Sequence, residues 1–264
     1  MLKGALHLHS TYSDGDFTLP ELRAVLVAEG CRFACITDHA DWFDAAAIDR
    51  YVRECEQWSD DQFRFIAGLE FGCIDRMHVL GLGVTDPIDS SDPQEVIRHI
   101  DRHGGVAVIA HPKNDAFAWI ETFETLPNGV ETWNSKYDGR YAPRPATFAL
   151  LARLKTRRPG MTAYYGQDLH WRTQYRGLFT MVDCATPDRA AVLDALARGA
   201  YAGMKDGLEL PASGEVTPEL LVRFARAQGR SRRLRTWMTR AKRWCEAAGV
   251  SVPPKFKAQL RRMF

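Results

Sequence analysis

The chain lacks a paired-cysteine framework: Cys31, Cys35, Cys55, Cys73, Cys184 and Cys245 are scattered, and no two stand as Cys-x-x-Cys. Such spacing argues against a disulfide scaffold and reads as reduced thiols. Long apolar runs are also missing. Met1-Leu-Lys-Gly-Ala-Leu-His7 moves straight into a strand-like pattern, with no stretch long enough for a signal peptide or a membrane span, so the expected address is the cytoplasm. There is no internal repeat and no low-complexity segment. With 45% hydrophobic and 26% charged residues, the composition excludes a disordered or fibrous class. At 264 residues the chain is long enough for one large domain, or for a core domain with a small appendage.

Acidic residues are nearly absent from the C-terminal end. From Leu220 to Phe264 there are thirteen Lys and Arg against the single acid Glu246, a balance of +12 in a chain whose total is +2, which leaves −10 for the preceding residues. The body is acidic and the tail is basic, and this asymmetry says more than the sum.

What is present is an alternation of short apolar runs with helical patterns, the signature of βα units around a parallel sheet. Strands are expected at residues 5–9, 33–37, 63–71, 77–84, 106–110, 130–133, 162–165 and 178–182. Helices are expected at 19–29, opened by Thr18 before Pro20, and at 45–58, 93–103, 146–154 and 189–198. The runs at 63–71 and 77–84 are separated by a short turn and are expected to pair. Polar residues gather at or just past strand ends: His7, His9, His39, Glu70, His111, Asn134, Asp168 and His170. One site built from so many strands favours a (β/α) barrel over an open doubly wound sheet, because barrels collect functional side chains at the C-terminal ends of their strands. Gly203 to Pro218, rich in Gly and Pro, reads as a linker before the tail.

Six of the eight histidines (His7, His9, His39, His78, His111, His170) fall in or at the ends of strands, next to carboxylates or turns. A period-2 strand puts His7 and His9 on one face, ready to chelate one ion. Alone, the pair also allows a less favoured reading, two polar histidines inside a barrel. It is followed, however, by Asp14, then by Thr37-Asp38-His39, and Asp168-Leu-His170 repeats the chelating spacing. His99 and His103 lie four apart on a helix with no strand end nearby and read as a helix face.

In order along residues 1 to about 205 stand His7-Leu-His9-Ser-Thr-Tyr-Ser-Asp14-Gly15, Ile36-Thr-Asp-His39, Gly68-Leu-Glu70, His78-Val-Leu-Gly81, Ala110-His111-Pro112 and Gly166-Gln-Asp168-Leu-His170. The set resembles the motifs of the polymerase and histidinol phosphatase (PHP) family of metal-dependent phosphoesterases. That resemblance implies an α/β fold, a distorted (β/α)7 barrel over residues 1–205; the basic stretch over 206–264 reads from its own charge and spacing as a helical C-terminal extension packed on it. It implies two or three divalent metal ions (Mn, Fe or Zn). His7, His9, Glu70 and Asp168 would hold the first ion. Glu70 would bridge to a second, bound by His78 and His111, and Asp14, His39 and His170 would hold a third. Some members carry histidine in place of Asp14, and Gln167 departs from a more common Ser without touching a ligand. The implied chemistry is hydrolysis of a phosphate ester by an activated water, with no protein nucleophile.

Around these motifs, Asp38 is a candidate to orient an imidazole. The segment from Glu131 to Arg144 offers phosphate donors, with Arg140 or Arg144 as a clamp and Asn134 or Lys136 assisting. Trp42, Trp133, Tyr137 and Trp171 are placed to stack on a nucleobase or to pack. In the tail, Leu234, Trp237, Met238, Ala241, Trp244, Cys245 and Ala248 fall on one helical face, with Arg232, Arg233, Arg235, Arg240, Lys242 and Arg243 around the others. That stripe is expected to pack on the barrel or a second subunit; otherwise the basic face suits nucleic acid or an anionic membrane surface, or steers an anionic substrate. The leading expectation is a phosphomonoesterase acting on a small phosphorylated metabolite, a nucleotide or sugar phosphate. A phosphodiesterase or 3′-5′ nuclease, a metal-dependent hydrolase of a carbamate or amide, and a noncatalytic binding module are the competing expectations.

Overall fold

The computed structural model describes residues 1–247. Its centre is a ten-stranded sheet in the order β10-β9-β8-β1-β2-β3-β4-β5-β6-β7. The strands are β1 (Leu2–Leu8), β2 (Phe33–His39), β3 (Arg64–Gly72), β4 (His78–Leu82), β5 (Val106–Ala110), β6 (Gly129–Asn134), β7 (Thr162–Gly166), β8 (Phe179–Val182), β9 (Tyr201–Lys205) and β10 (Leu208–Pro211). The first seven curl into the barrel. β1, β2 and β3 run parallel, as do β5, β6 and β7, while β4 is antiparallel to both β3 and β5. β5 is a wholly buried apolar run, as a strand covered on both faces must be, and β2 is buried up to Asp38, its apolar first half giving way to Thr37, Asp38 and His39 at the rim.

Closure happens at β1, which divides its edge between two partners. Its first half, Leu2 to Gly4, pairs antiparallel with β8. Its second half meets the segment that follows β7: Gln167 N donates to Leu6 O, and His9 N donates to Leu169 O at 3.0 Å. The barrel is therefore stitched shut at the rim where the strands end, and β8, β9 and β10 peel away as a skirt.

The helices are α1 (Leu19–Ala28), α2 (Ala45–Gln57), α3 (Pro93–Arg102), α4 (Phe117–Ile120), α5 (Pro145–Lys155), α6 (Arg189–Ala197) and α7 (Pro218–Ala247). Their starts are written in the sequence. Asp44, Asp92 and Asp188 each accept an N-terminal backbone N–H, from Ala47, Gln94 and Ala191, and Thr18 N donates to Glu21 ahead of Pro20. The core is built of Leu, Ile, Val and Phe from both sheet and helices, with Tyr51 and Trp133 among its largest members.

Two expectations are corrected here. The segment 203–218 is only partly a linker: β9 and β10 form a hairpin around Asp206 and Gly207, both at positive φ, so the sheet runs past residue 205 to Pro211. The tail helix is longer than its apolar stripe indicated, and that stripe does not pack on the barrel: Leu234, Trp237 and Trp244 are 40%, 66% and 80% exposed. α7 is anchored near its start instead, where Phe224 is buried and stacks on Phe148 of α5, and where Gln228 donates to the Asp138 and Ala142 carbonyls. Thirty residues make a helix of about 45 Å, and these anchoring contacts fall within its first eleven residues. Ala248, assigned to the same stripe, lies outside the described residues.

Candidate metal centre

The nine residues singled out as ligands meet at the closed rim. His7 comes from β1 and His9 from the residue just beyond it; His39 ends β2 and Glu70 lies near the end of β3. His78 opens β4, whose reversed direction brings its first residue to the same rim. His111 follows β5, Asp168 and His170 follow β7, and Asp14 folds back from the loop after β1. Their ligand atoms form four overlapping groups: His9, Asp14, His39 and His170; His7, His9 and Asp168; His7, Glu70 and His111; and His39, Glu70 and His78.

Glu70 is the hub. Its Oε2 lies 3.3 Å from His7 Nε2, 3.1 Å from His9 Nε2 and 3.4 Å from His39 Nδ1. Its Oε1 lies 2.7 Å from His78 Nδ1 and 3.1 Å from His111 Nε2. Asp168 is the second focus, with Oδ1 3.1 Å from His170 Nδ1 and 3.8 Å from both His7 Nε2 and His9 Nε2, and with Oδ2 3.7 Å from His111 Nε2. Asp14 faces His170 Nε2 at 3.2 Å and His39 Nε2 at 3.6 Å.

Strain marks the same residues. His7, His111 and Asp168 all have positive φ, at 59°, 28° and 50°. His7 is the extra residue of a bulge, since the β1–β2 register slips between Leu6 and Leu8. Simple alternation therefore does not bring His7 and His9 together; the bulge re-aims His7, and the two rings sit 5.3 Å apart. Backbone of this kind costs on the order of 1–3 kcal/mol per residue and persists where the surroundings over-determine it, characteristically at functional sites.

The ring nitrogens test whether the residues suit cations. His7 Nε2 and both nitrogens of His9 are buried without a hydrogen-bond partner. Buried polar atoms are almost always bonded, so the unpartnered His7 and His9 nitrogens, the two Nε2 atoms facing Glu70 and His9 Nδ1 facing Asp14, are what a cation's ligands look like. Burial pulls the His9 pKa down to about 3, which leaves its ring neutral and its lone pairs available. Burial would push Glu70 and Asp168 up, but the surrounding imidazoles, His7 foremost, hold both carboxyls well below their usual range. Both are anionic ligands at neutral pH.

Glu131, on β6, was not singled out in the sequence and is the principal support of the site. Fully buried, it takes His7 Nδ1 at 2.9 Å on one oxygen; the other accepts His111 N–H and Asn134 Nδ2, each at 2.8 Å. A hydrogen bond to Nδ1 fixes the His7 tautomer and directs Nε2 at the centre. Asn134 bridges Glu131 to Asp168, its Nδ2 reaching Asp168 Oδ2 at 3.0 Å, and this positioning role replaces the expected phosphate contact.

Three other expectations change. Asp38 orients no imidazole; buried, it accepts from Ser10 N, Ser10 Oγ and Ser13 Oγ and so pins the loop that carries Asp14. Arg144 is committed to Asp138, Asn114 and the Pro112 carbonyl, bracing the loops rather than presenting a clamp. Arg140 points to a different cavity, beside Arg176 and Lys205. Lys136 does reach the centre, with Nζ 3.1 Å from Asp168 Oδ1 and within reach of both His170 nitrogens. Of the aromatics, Trp133 is packing, its Nε1 donating to Gly139 O, and Trp42 is exposed. Tyr137 and Trp171 are half exposed at the rim, their rings 4.6 Å from His111 and 5.8 Å from His170. His99 belongs to none of the four groups; it is buried against Phe71 and bonds to Asp86 O.

Comparison with known proteins agrees with the fold and the centre. The PHP domain model matches residues 5–157, more than half of the chain. The chain belongs to the PHP family, and metal-dependent phosphoester hydrolysis is the class of chemistry to which its fold and buried His, Asp and Glu clusters correspond. Asp168 and His170 lie beyond the matched span and join the site through the β7 extension. Among curated proteins, the DNA polymerase/3′-5′ exonuclease PolX of Bacillus subtilis is 40% identical over 77 residues, which cover 26% of this chain and 14% of that protein. The chain thus spans about a seventh of that relative's length. Among solved structures, a two-domain protein of Bacteroides vulgatus described as containing a PHP-like metal-dependent phosphoesterase superposes with a TM-score of 0.58 at 17% identity, covering 84% of this chain and 68% of that one. PsfC of Pseudomonas syringae gives 0.53 at 14% identity, covering 86% and 98%. At these identities the likeness is one of fold.

Proposed function

We propose that the protein hydrolyses a phosphomonoester of a small metabolite, a nucleotide or sugar phosphate, at a centre of two or three divalent metal ions held by His7, His9, Asp14, His39, Glu70, His78, His111, Asp168 and His170. The observation that carries this reading is Glu70, one carboxylate within 3.4 Å of five imidazoles contributed by separate parts of the rim. Mixed nitrogen and oxygen donors suit Mn, Fe or Zn. When bound, such ions lower the pKa of a water and neutralise phosphoryl oxygens.

The chain's own residues supply the rest. Glu131 and Asn134 hold His7 and Asp168 in place, and Lys136 presents a cation at the mouth, between the rings of Tyr137 and Trp171. There the ammonium is set to pair with a non-bridging phosphoryl oxygen while the two aromatics flank the leaving group. Lys136→Met is expected to raise KM for a phosphomonoester by about tenfold with a smaller fall in kcat, as for a group that binds substrate and transition state alike. An unchanged KM would remove Lys136 from the substrate site. The broader test is a panel of mononucleotides, sugar phosphates, short oligonucleotides, and carbamate and amide esters with metal-replete protein. Phosphate release from the monoesters is expected, and cleavage confined to carbamates or amides would overturn the reading.

A second reading, a 3′-5′ nuclease or phosphodiesterase, is favoured by α7, where exposed Trp237 and Trp244 are interleaved with exposed Arg232, Arg233 and Arg240. Arginines that follow a phosphate backbone and aromatics that stack on bases are the elements of single-strand binding; the same helix face would also suit an anionic membrane surface. Under this reading, replacing both tryptophans with alanine lowers kcat/KM for an oligonucleotide by about tenfold or more and leaves mononucleotide turnover alone. Equal turnover of the oligonucleotide by both forms would discard it. No helix among the described residues is long and apolar enough to cross a membrane.

A further inference from the structure

A second cavity, of about 560 Å³, is lined by residues of β1, the 175–181 segment and the β9–β10 hairpin together with Arg140. Its lining includes none of the nine ligands. It carries Lys3, Arg140, Arg176 and Lys205 against only two acids, Glu29 and Asp206, over an apolar floor of Phe179, Met181 and Met204. We infer that this cavity is an anion site, separate from the metal centre, which takes the phosphate group of a small organic molecule.

The charge at Lys205 is only partly balanced. Lys205 is buried, its side chain 2% exposed, with Nζ donating to the Arg176 carbonyl and paired at 3.2 Å with Asp206. Asp206 is 70% exposed, so water screens most of what it gives. Burial pulls the Lys205 pKa down; Asp206 partly restores it, and Arg140 and Arg176 depress it again. Three cations thus repel one another across a partly dry space. A buried cation of this kind is costly unless an opposite charge compensates it, and a phosphate is the compact dianion that several cations can share. Arg140 has no hydrogen bond or ion pair among the described residues, so its fork is available. Tyr175, on the same lining, has a buried hydroxyl without a hydrogen-bond partner. The volume falls in the range of small-molecule sites, and the methionine and phenylalanine floor suits the organic part.

The site also has a route to the metal centre. The Arg176 guanidinium donates to Ser135 O, and Ser135 stands between Asn134, which holds Asp168, and Lys136, which reaches it. An anion that draws Arg140 and Arg176 together acts on the loop that positions both.

The test is calorimetric titration of the full chain after chelator treatment, so that no metal takes part and no turnover is needed; failure of the phosphoesterase reading would leave it intact. Inorganic phosphate and phenyl phosphate are the probes. One saturable equivalent is expected, weakened about tenfold by Arg140→Ala and unchanged by Arg53→Ala on the exposed face of α2, with phenyl phosphate binding more tightly than phosphate. Circular dichroism of Arg140→Ala should match the parent, since that side chain holds nothing together. No saturable binding, or the same affinity in the Arg140→Ala variant, would overturn the site. Equal affinity for the two probes would overturn the assignment of an organic ligand.

Discussion

Asp168→Ala is expected to lower kcat/KM for the best phosphomonoester by about 10³-fold and to reduce the metal content of the purified protein, while far-ultraviolet circular dichroism stays that of the parent. The size of the effect follows from the number of groups that face this carboxylate. One oxygen meets His170, His7, His9 and the Lys136 ammonium, and the other meets His111 and the Asn134 amide. Alanine removes the negative charge that draws cations to that half of the centre and leaves Lys136 beside His170 with nothing to pair with. Glu70→Gln probes the other half: it keeps the shape, removes the charge among five imidazoles and is expected to be equally damaging. Activity retained by either variant at parental metal content would show that these carboxylates do not hold the working ions.

The second large effect is expected from the smallest substitution. Gly166 ends β7 directly against Glu131, and a Cβ added there would stand 1.7 Å from Glu131 Oε1 and 3.0 Å from the Cβ of His7. A buried carboxylate in a packed barrel cannot retreat without breaking its bonds to His7 and to the His111 amide. Gly166→Ala is therefore expected to cost about 1–3 kcal/mol in urea unfolding, from overpacking and a severed buried bond, and to weaken metal binding by about 10–100-fold. Gly72→Ala is the control, because a Cβ there meets nothing within 4 Å. Glu131→Gln separates the two causes: it should leave stability nearer the parent while affecting the metal, since an amide does not hold the imidazole as a carboxylate does. Gly166→Ala with parental metal affinity would show that Glu131 does not orient the site.

What could be read in the chain and what could not divide along physical lines. The residues gathered at the rim were legible in two ways: His7, His9, His39, Glu70, His111, Asp168 and His170 stand at or just past the ends of strand-like runs, and the resemblance of their motifs to those of the PHP family is what joined them with Asp14 and His78 into one expected ligand set. The β3–β4 pairing was legible from the short turn between two apolar runs, and the start of α1 from Thr18 ahead of Pro20. Glu131 was not, because it lies within Gly129-Val-Glu-Thr-Trp, with no histidine near it in sequence; two of its three partners come from β1 and the residue after β5, and only Asn134 is close to it in the chain. The available signal was energetic, since a carboxylate in a strand otherwise fit for complete burial must have buried donors waiting for it. Arg144 was misassigned because its partner, Asp138, lies six residues away in an irregular loop whose path no periodicity describes. The β9–β10 hairpin carried its own mark in Asp206-Gly207, a turn dipeptide with both residues at positive φ, hidden by the Gly and Pro content around it. The apolar stripe of α7 was correctly periodic, but periodicity does not reveal whether a surface exists to receive it.

The most direct measurement is the metal content of protein purified without chelator and then offered Mn, Fe and Zn in turn, for the parent and for Glu70→Gln. Two to three equivalents of bound divalent ion per chain are predicted for the parent, with at least one equivalent lost on substitution. Less than one equivalent in the parent with all three metals, or an undiminished complement in Glu70→Gln, would contradict a centre organised around that carboxylate.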